Sequence, residues 1–343
     1  MVVRTLDTLH DLLVVRVPPK HFATKQAKQE HAAEQATYRD DERDRFAPGL
    51  RVSDEFMSLL PPHLWEELGK DYLGGGHPMH LVEVPETYRR DTYRSYEQHQ
   101  QMSREDLERQ VAAGFVEKLN YCPRVINAQG GVYVPEKDKY RPVMDATKSG
   151  LNGCLQQKEC RYDMLRDLLR VLQKDDKQKQ SAFDLKDAFY MWPRQQVYCN
   201  YQGLRGPASA PGVYRYRYLP MGVSDCPGYQ QQWAGAIKWV VNEQVLLPLC
   251  KEQLLENGMS QEEVGVQSRA EIAAMYMDDG KVRHPACFTL EQANRQFEAV
   301  LGFLDKHGIQ YYVKKSVWPD EVGSYVGVQL DTTGAVQGRG ATS

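Results

Sequence analysis

Apolar positions in the second half of the chain recur with the periods of helices and of short strands. Residues 162–172, 229–244 and 290–304 place apolar side chains three and four positions apart, which predicts amphipathic helices. Two compact apolar runs, 181–185 and 272–276, are short enough to be buried strands. We therefore expect helices and short strands to alternate over this part of the chain.

Capping residues mark where two helices should begin. Thr289 with Gln292, and Ser103 with Asp106, match the capping box that opens a helix. Gly114 would end the second of these helices, because glycine readily adopts the left-handed conformation found after a helix.

A tight turn is indicated where Asp279 is followed by Gly280, a dipeptide typical of two-residue hairpins. This turn would join the strand 272–276 to a return strand at 281–284, and residues 324–330 predict one further strand. Helices beside antiparallel hairpins, with carboxylates at strand ends, predict an α+β fold rather than a doubly wound one.

Composition separates the beginning of the chain from the remainder. Residues 20–45 are dense in Lys, Gln, Glu, Asp and Arg, which is typical of a solvated helix or a disordered arm. We therefore expect residues 1–100 to be an N-terminal extension that is partly polar or disordered. Residues 101–330 would form the main domain, and residues 331–343 a flexible tail.

The overall charge and the cysteines narrow the class of protein. The 343 residues carry a formal net charge of −3, although residues 118–148 hold six cations against three anions. No apolar run approaches the ~20 residues of a membrane helix, so we expect no membrane partner. The seven cysteines are scattered without a CxxC pair. This argues against a zinc site or a disulfide framework and favours a reducing, intracellular compartment, cytoplasm or nucleus.

Two acidic clusters stand where strands are predicted to end. Asp184 lies in FDLKDAF at 183–189, and Asp278 and Asp279 lie in YMDD at 276–279. Carboxylates that converge from separate strands suit phosphoryl transfer with two Mg²⁺ ions ~4 Å apart, which activate the attacking hydroxyl and stabilise the leaving oxygen. Taken alone, each cluster is an ordinary turn or strand end, so its meaning depends on the surrounding motifs.

Seven motifs, in order, resemble the reverse transcriptase family over roughly residues 100–330. They are GFV at 114–116, YRPVMD at 140–145 with LN at 151–152, FDLKDAF at 183–189, YLPMG at 218–222 with CP at 226–227, YMDD at 276–279, GI at 308–309 with KKS at 314–316, and VGSYVGV at 322–328. YMDD alone is a moderate signal, whereas seven elements in register are a strong one.

The resemblance implies the fingers and palm of a right-hand polymerase, with an antiparallel palm sheet flanked by helices. It implies an RNA-directed DNA polymerase, a nucleotidyltransferase, from a retrotransposon of the long-terminal-repeat or DIRS type. The cofactor would be two Mg²⁺ ions, or Mn²⁺. The partners would be an RNA or DNA template-primer, dNTPs and further domains of a retroelement polyprotein. Only a Gly- and Thr-rich tail follows Leu330, so the family's thumb is expected to be missing.

Four residues match the metal-binding positions of the family. Asp184 and Asp278 should bind both ions, with Asp279 as a third, less directly engaged carboxylate. The backbone carbonyl of Leu185 would be a further ligand, because Mg²⁺ prefers oxygen donors.

Cationic positions match residues that contact the triphosphate in the family. Arg141 and one of Lys137 or Lys139 would neutralise the incoming triphosphate. Lys315, or its neighbour Lys314, would protonate the leaving pyrophosphate. The plainer interpretation of these lysines is a solvated surface.

Three further positions would line the nucleotide. Phe189 matches the steric gate, whose ring would clash with a 2′-hydroxyl and so select deoxynucleotides; otherwise it is a core aromatic residue. Gly222 would let template or nucleotide approach the backbone closely. Met221 departs from the polar Gln of related retroviral enzymes, so a contact there would be apolar or lost.

Two other functions compete with this hypothesis. A viral RNA-directed RNA polymerase shares the chemistry, but it usually carries GDD rather than YMDD, and a second carboxylate near the position of Phe189. An inactive or domesticated retroelement fragment would bind nucleic acid without extending it. The missing thumb favours this alternative, and the intact carboxylates oppose it.

Overall fold

The computed structural model of the protein describes residues 52–135, 139–156, 158, 161–163, 167, 178–267, 271–325 and 328–331. Several sequence predictions fall wholly or largely outside these residues. They are the polar segment 20–45, Lys137, the helix 162–172 and the tail after residue 331.

Helices in the described ranges lie mostly between the strands and after them. They are α1 Asp54–Ser58, α2 Pro62–Leu64, α3 Lys70–Leu73, α4 Arg94–Gln98, α5 Gln100–Ala112, α6 Gln196–Cys199, α7 Cys226–Val241, α8 Leu247–Glu256, α9 Gln261–Gln267 and α10 Leu290–Lys306. A π-helical turn, Asn242–Leu246, joins α7 to α8. Across these ranges, each helix is too short or too polar to span a lipid bilayer.

The strands of the described ranges form two sheets and a separate hairpin. They are β1 Tyr88–Arg89, β2 Val116–Leu119, β3 Val125–Val134, β4 Lys139–Asp145, β5 Lys179–Asp184, β6 Gly203–Arg205, β7 Val213–Tyr216, β8 Glu271–Tyr276, β9 Asp279–His284, β10 Val317–Asp320, β11 Val322–Tyr325 and β12 Val328–Asp331. The fold is therefore a mixture of helices and strands.

The first sheet is mixed, and the second is antiparallel throughout. The mixed sheet has the order β1-β3-β6-β7-β2, with β4 also paired to β3, and its β1–β3 and β3–β6 pairs are parallel. The antiparallel sheet has the order β10-β5-β9-β8. It brings the ends of distant chain segments side by side, because β5 precedes β8 and β9 by almost a hundred residues.

Helices α7 and α10 pack on the antiparallel sheet with the apolar faces that the sequence predicted. In α7 the buried residues include Trp233, Ile237 and Val240, each 0% exposed. The capping box of Thr289 and Gln292 opens α10, which confirms the predicted start of that helix.

The described part of the first hundred residues shares its core with the later part of the chain. Tyr72 packs edge-on against Trp192 and Trp233, with ring centroids 6.2 and 5.8 Å away. The two tryptophans stack on each other at 4.1 Å. Residues around Tyr72 therefore belong to the same core, while the predicted domain boundary at residue 100 stays a prediction.

The hairpin turn between β8 and β9 lies two residues earlier than predicted. Met277 and Asp278 form the turn, and Asp279 and Gly280 already belong to β9. Gly280 is the cross-strand partner of Phe183, and a β-carbon at residue 280 would collide with the Phe183 ring. The glycine therefore serves close packing rather than the turn.

Two other local predictions also need correction. Helix α5 begins at Gln100, so Ser103 is not its cap; instead its buried hydroxyl donates to the Tyr96 carbonyl at 2.9 Å. Gly114 follows the end of α5 with φ 76°, as predicted. The single strand predicted at 324–330 is a hairpin, in which β11 pairs antiparallel with β12.

Candidate functional site

Three carboxylates meet at one end of the antiparallel sheet. Asp184, the last residue of β5, is the cross-strand partner of Asp279, the first residue of β9. Asp278 precedes it in the turn, and its carbonyl accepts the N–H of Leu185 at 2.7 Å. The two acidic clusters of the sequence come together because antiparallel pairing places the end of one strand beside the start of the next.

Two glutamines of α7 hold the turn that carries Asp278. Met277 has φ 57°, a left-handed conformation that costs a non-glycine residue about 1–2 kcal/mol. Gln231 accepts the Met277 N–H at 2.9 Å and donates to the Met275 carbonyl at 3.0 Å. Gln230 donates to the Met277 carbonyl at 2.9 Å. These bonds offset the strain and fix the turn relative to the helix.

The same helix face continues along the edge strand β8. Lys238 donates to the Ala273 carbonyl at 3.0 Å. Asn242 accepts the Ile272 N–H at 2.6 Å and donates to its carbonyl at 3.3 Å. Asp163 accepts a further N–H of the strand at 3.0 Å. Because these side chains take the place of a neighbouring strand, the register of α7 along β8 determines where Asp278 lies.

Burial and neighbouring negative charge raise the pKa of Asp278 and of Asp279. Burial raises the pKa of Asp278 and the charge of Asp184 adds to the rise, while a backbone hydrogen bond and the charges of Lys315 and Lys139 oppose it. The pKa of Asp279 is also raised, first by loss of hydration and then by the charges of Asp278 and Asp184. A cation bound among these groups would relieve this repulsion.

Lys315 contacts the first carboxylate directly. Its ammonium donates to both oxygens of Asp184, at 2.8 and 2.9 Å, and lies 4.1 Å from the centre of the Tyr312 ring. Partial burial lowers the pKa of Lys315, but the hydrogen bond and charge of Asp184 outweigh this effect and raise it. Lys315 is therefore charged and paired at neutral pH.

The donor set fits a hard divalent cation in its chemistry, since three carboxylates supply the oxygens that Mg²⁺ prefers. Among the described residues, however, no three His, Cys, Asp or Glu side chains already stand in a ready-made metal site. The Asp184 carboxylate is engaged by Lys315 instead. The predicted Mg²⁺ site therefore stays a prediction.

Leu185 and Phe189 follow the first carboxylate closely. The Leu185 side chain is buried, and its N–H is bonded to the turn. Asp187 has φ 52° and lies 4.0 Å from the Arg109 guanidinium. This left-handed residue starts a short 3₁₀ turn, Ala188–Met191, that carries the half-buried Phe189. Phe189 thus lies one short turn beyond Asp184.

Lys139 and Arg141 lie on the hairpin of β3 and β4. Both are exposed on β4, where Arg141 pairs with Val132 across the strands. Tyr140 faces the other way, and its hydroxyl lies 2.5 Å from the Ser103 oxygen. One face of the hairpin is therefore packed, and the face with the two cations is open. The charge of Lys139 acts on Asp278.

The loop with Met221 and Gly222 packs on β4. Met221 is 50% exposed. Gly222 has φ 111°, and a β-carbon there would collide with the Met144 carbonyl. Asn152 donates to the Gly222 carbonyl at 3.1 Å and accepts the Ser224 N–H at 2.9 Å. The fold itself requires this glycine, and its predicted approach to template or nucleotide stays a prediction.

The structure thus groups only some of the predicted residues. Asp184, Leu185, Asp278, Asp279 and Lys315 lie together. Within the described ranges, no hydrogen bond or ion pair joins the carboxylates to four of the other predicted nucleotide contacts, which are Arg141, Phe189, Met221 and Gly222.

Gln230, Gln231 and Tyr312 are not among the residues predicted from the sequence. Gln230 lies three residues before Trp233 and seven before Ile237, on the stripe that α7 buries. A buried amide needs hydrogen-bond partners, so its place on this stripe is a signal that could have identified it. Tyr312 contributes a backbone N–H and a ring, which no sequence pattern marks.

Comparison with known proteins supports the fold. No protein-family model matches the chain, and no curated protein matches it in sequence. The solved structure of a foamy viral protease–reverse transcriptase in complex with double-stranded DNA is similar, with a TM-score of 0.50 and 16% sequence identity. The similarity covers 82% of this chain and 45% of that one, so this chain spans less than half of that protein's length. The chain therefore has a reverse-transcriptase-like fold.

Proposed function

We propose that this chain is the polymerising part of a retroelement reverse transcriptase, an RNA-directed DNA polymerase that adds dNTPs to a primer 3′-hydroxyl. One observation carries the proposal: Asp184 and Asp279 are cross-strand partners beside Asp278. Three carboxylates at one end of an antiparallel sheet, in a fold of this kind, suit nucleotidyl transfer better than a purely structural role.

Asp184, Asp278 and Asp279, with the backbone carbonyl of Leu185, would hold two Mg²⁺ or Mn²⁺ ions. Such ions, when bound, lower the pKa of the attacking hydroxyl and neutralise the leaving oxygen. The protein's own contribution is to hold the acidic groups in place before substrate binds. The glutamine contacts to Met277 and the pairing of β5 with β9 both supply this rigidity.

The remaining predicted residues would bind the nucleotide. Lys139 and Arg141, on the open face of the β3–β4 hairpin, would neutralise the triphosphate. Phe189 would lie under the sugar and exclude a 2′-hydroxyl, and Met221 with Gly222 would line the base. The foamy viral relative is described with double-stranded DNA, which supports a template-primer as the macromolecular partner.

Lys315 would act late in the reaction. Once its ammonium leaves Asp184, it would donate a proton to the departing pyrophosphate. The present contact with Asp184 supports this role, because it places a charged lysine within reach of the site.

Primer extension on an RNA template with Mg²⁺ or Mn²⁺ tests the proposal. We expect dNTP incorporation that is lost in Asp278→Ala and kept in Glu298→Ala, a change at an exposed position of α10. Incorporation of rNTPs alone would indicate an RNA-directed RNA polymerase. Template binding without extension by the unaltered chain would contradict the enzymatic proposal and favour a domesticated nucleic-acid-binding protein.

A further inference from the structure

We propose that the Lys315 ammonium occupies Asp184 until a divalent cation displaces it, so that metal binding and triphosphate binding are coupled through one side chain. We call this pairing the lock. The inference rests on the proposed function, because it concerns the same carboxylates. It adds an order of events: the ammonium neutralises Asp184 before the cation arrives and becomes available to phosphate afterwards.

The contact itself blocks metal binding. The Lys315 ammonium bonds both carboxylate oxygens of Asp184, at 2.8 and 2.9 Å. A divalent cation bound to Asp184 needs at least one of these oxygens, and it would lie close to a second positive charge if the ammonium remained. The cation and the ammonium therefore compete for Asp184.

Backbone hydrogen bonds hold the turn that carries Lys315 next to Asp184. The N–H of Tyr312 donates to the Asp184 carbonyl at 2.8 Å, and the N–H of Lys186 donates to the Gln310 carbonyl at 2.9 Å. The N–H of Lys315 then closes a tight turn on the Tyr312 carbonyl at 3.0 Å. The turn is thus attached to the chain on both sides of Asp184, so the fold holds the backbone of Lys315 within reach of this carboxylate.

The lysine can also leave without disturbing the core. Its side chain is 50% exposed, and its ammonium lies 4.1 Å from the centre of the Tyr312 ring. An aromatic face attracts a nearby cation. The ammonium already contacts this ring while it pairs with Asp184, so the ring can continue to stabilise the charge after the ammonium is displaced.

Because of this competition, the apparent metal affinity equals the intrinsic affinity multiplied by the fraction of molecules in which Asp184 is free. Removing Lys315 should therefore tighten metal binding when no nucleotide is present. A lysine that only binds nucleotide would have no such effect. The sign of the change in metal affinity distinguishes the two roles.

Mn²⁺ titration without nucleotide, followed by the EPR signal of free Mn²⁺, measures this sign. We expect Lys315→Met to bind Mn²⁺ roughly 3- to 5-fold more tightly than the unaltered chain, as the loss of one partly exposed ion pair would allow. The matched control is Lys314→Met, which removes the same charge from the same turn. Lys314 is exposed and has no ion pair within the described residues. The Mn²⁺ affinity of Lys314→Met should therefore stay within about twofold of that of the unaltered chain. Equal affinities in the two variants, or weaker binding by Lys315→Met, would overturn the lock.

Lysine acetylation followed by mass spectrometry gives a readout on the unaltered chain. Mg²⁺ should increase the labelling of Lys315 several-fold relative to Lys314, because the ammonium is released from its ion pair. Metal binding that leaves the labelling of Lys315 unchanged would refute the lock and leave the polymerase proposal standing. Metal-dependent labelling without primer extension would refute the polymerase proposal alone. If no variant bound Mn²⁺, both would fail.

Discussion

Gln231 accepts the N–H of Met277 at 2.9 Å and so holds this residue in a left-handed conformation. Its amide group also donates to the Met275 carbonyl, so one side chain bonds the backbone on both sides of Tyr276. Gln231 is buried, with 5% exposure, and water cannot easily replace it. The position of Asp278 therefore depends on a helix that contributes no carboxylate to the site.

Replacing Gln231 should weaken the fold measurably. Gln231→Leu keeps the size of the side chain but leaves the buried Met275 carbonyl and the part-buried Met277 N–H without this partner, so we expect a loss of about 1–3 kcal/mol in the free energy of unfolding. Urea denaturation measures this loss. Gln232→Leu is the control: within the described part of the chain its buried amide oxygen has no partner, so its removal should cost little or stabilise the protein. Equal losses in both variants would show that the contacts to the turn contribute nothing.

Asp278 should make the stability of the metal-free protein fall with rising pH. Its folded-state pKa is raised above the ordinary value of 3.8, so the folded state holds the proton more tightly than the unfolded state. The carboxyl therefore contributes stability below its ordinary pKa, and this contribution is lost as the pH rises through the raised pKa. We expect Asp278→Asn to be more stable than the unaltered chain at pH 7, with the difference shrinking toward pH 4. Urea denaturation across this range, with Glu298→Gln as control, checks the trend; a difference that did not vary with pH would contradict it.

Arg194 and Asp225 form a buried ion pair just before α7. Two guanidinium nitrogens donate to the two carboxylate oxygens at 2.7 and 2.9 Å, and the side chains are 0% and 1% exposed. Arg194→Met would leave a buried carboxylate unpaired, and we expect a loss of about 3–5 kcal/mol by thermal or urea denaturation.

An exposed ion pair provides the comparison for Arg194. Lys306 and Glu55 also lie 2.7 Å apart, but their side chains are 60% and 59% exposed. Lys306→Met should cost much less than Arg194→Met, because solvent screens an exposed ion pair. Similar losses at the two pairs would mean that burial does not determine the strength of the Arg194 contact.

Phe189 should control the choice of sugar if the chain polymerises. Phe189→Ala or Phe189→Val removes the ring that would collide with a 2′-hydroxyl, so incorporation of ribonucleotides relative to deoxynucleotides should rise roughly ten- to hundredfold. Primer extension with each nucleotide class measures the ratio, and Phe189→Tyr keeps the bulk as a control. An unchanged ratio in the smaller variants would remove Phe189 from this role.

Local elements of the fold were predictable because their signals are local. The capping box at Thr289 and the apolar stripe of α7 depend only on residues a few positions apart, and both were found where expected. The turn between β8 and β9 was misplaced because Gly280 looked like a turn residue. Its actual partner is Phe183, almost a hundred residues earlier, and no local pattern shows that contact.

The sequence by itself determined which residues are the candidates for the proposed chemistry: the acidic clusters at Asp184 and Asp278–Asp279, and the lysines that follow them. Only the tertiary structure decided how these groups meet. It paired Asp184 with Asp279, set Lys315 on Asp184 across 131 positions of chain, and placed Gln231 against Met277 across 46. The physical reason is that strand register and helix docking are settled by packing over the whole core, whereas a sequence motif records only neighbours along the chain.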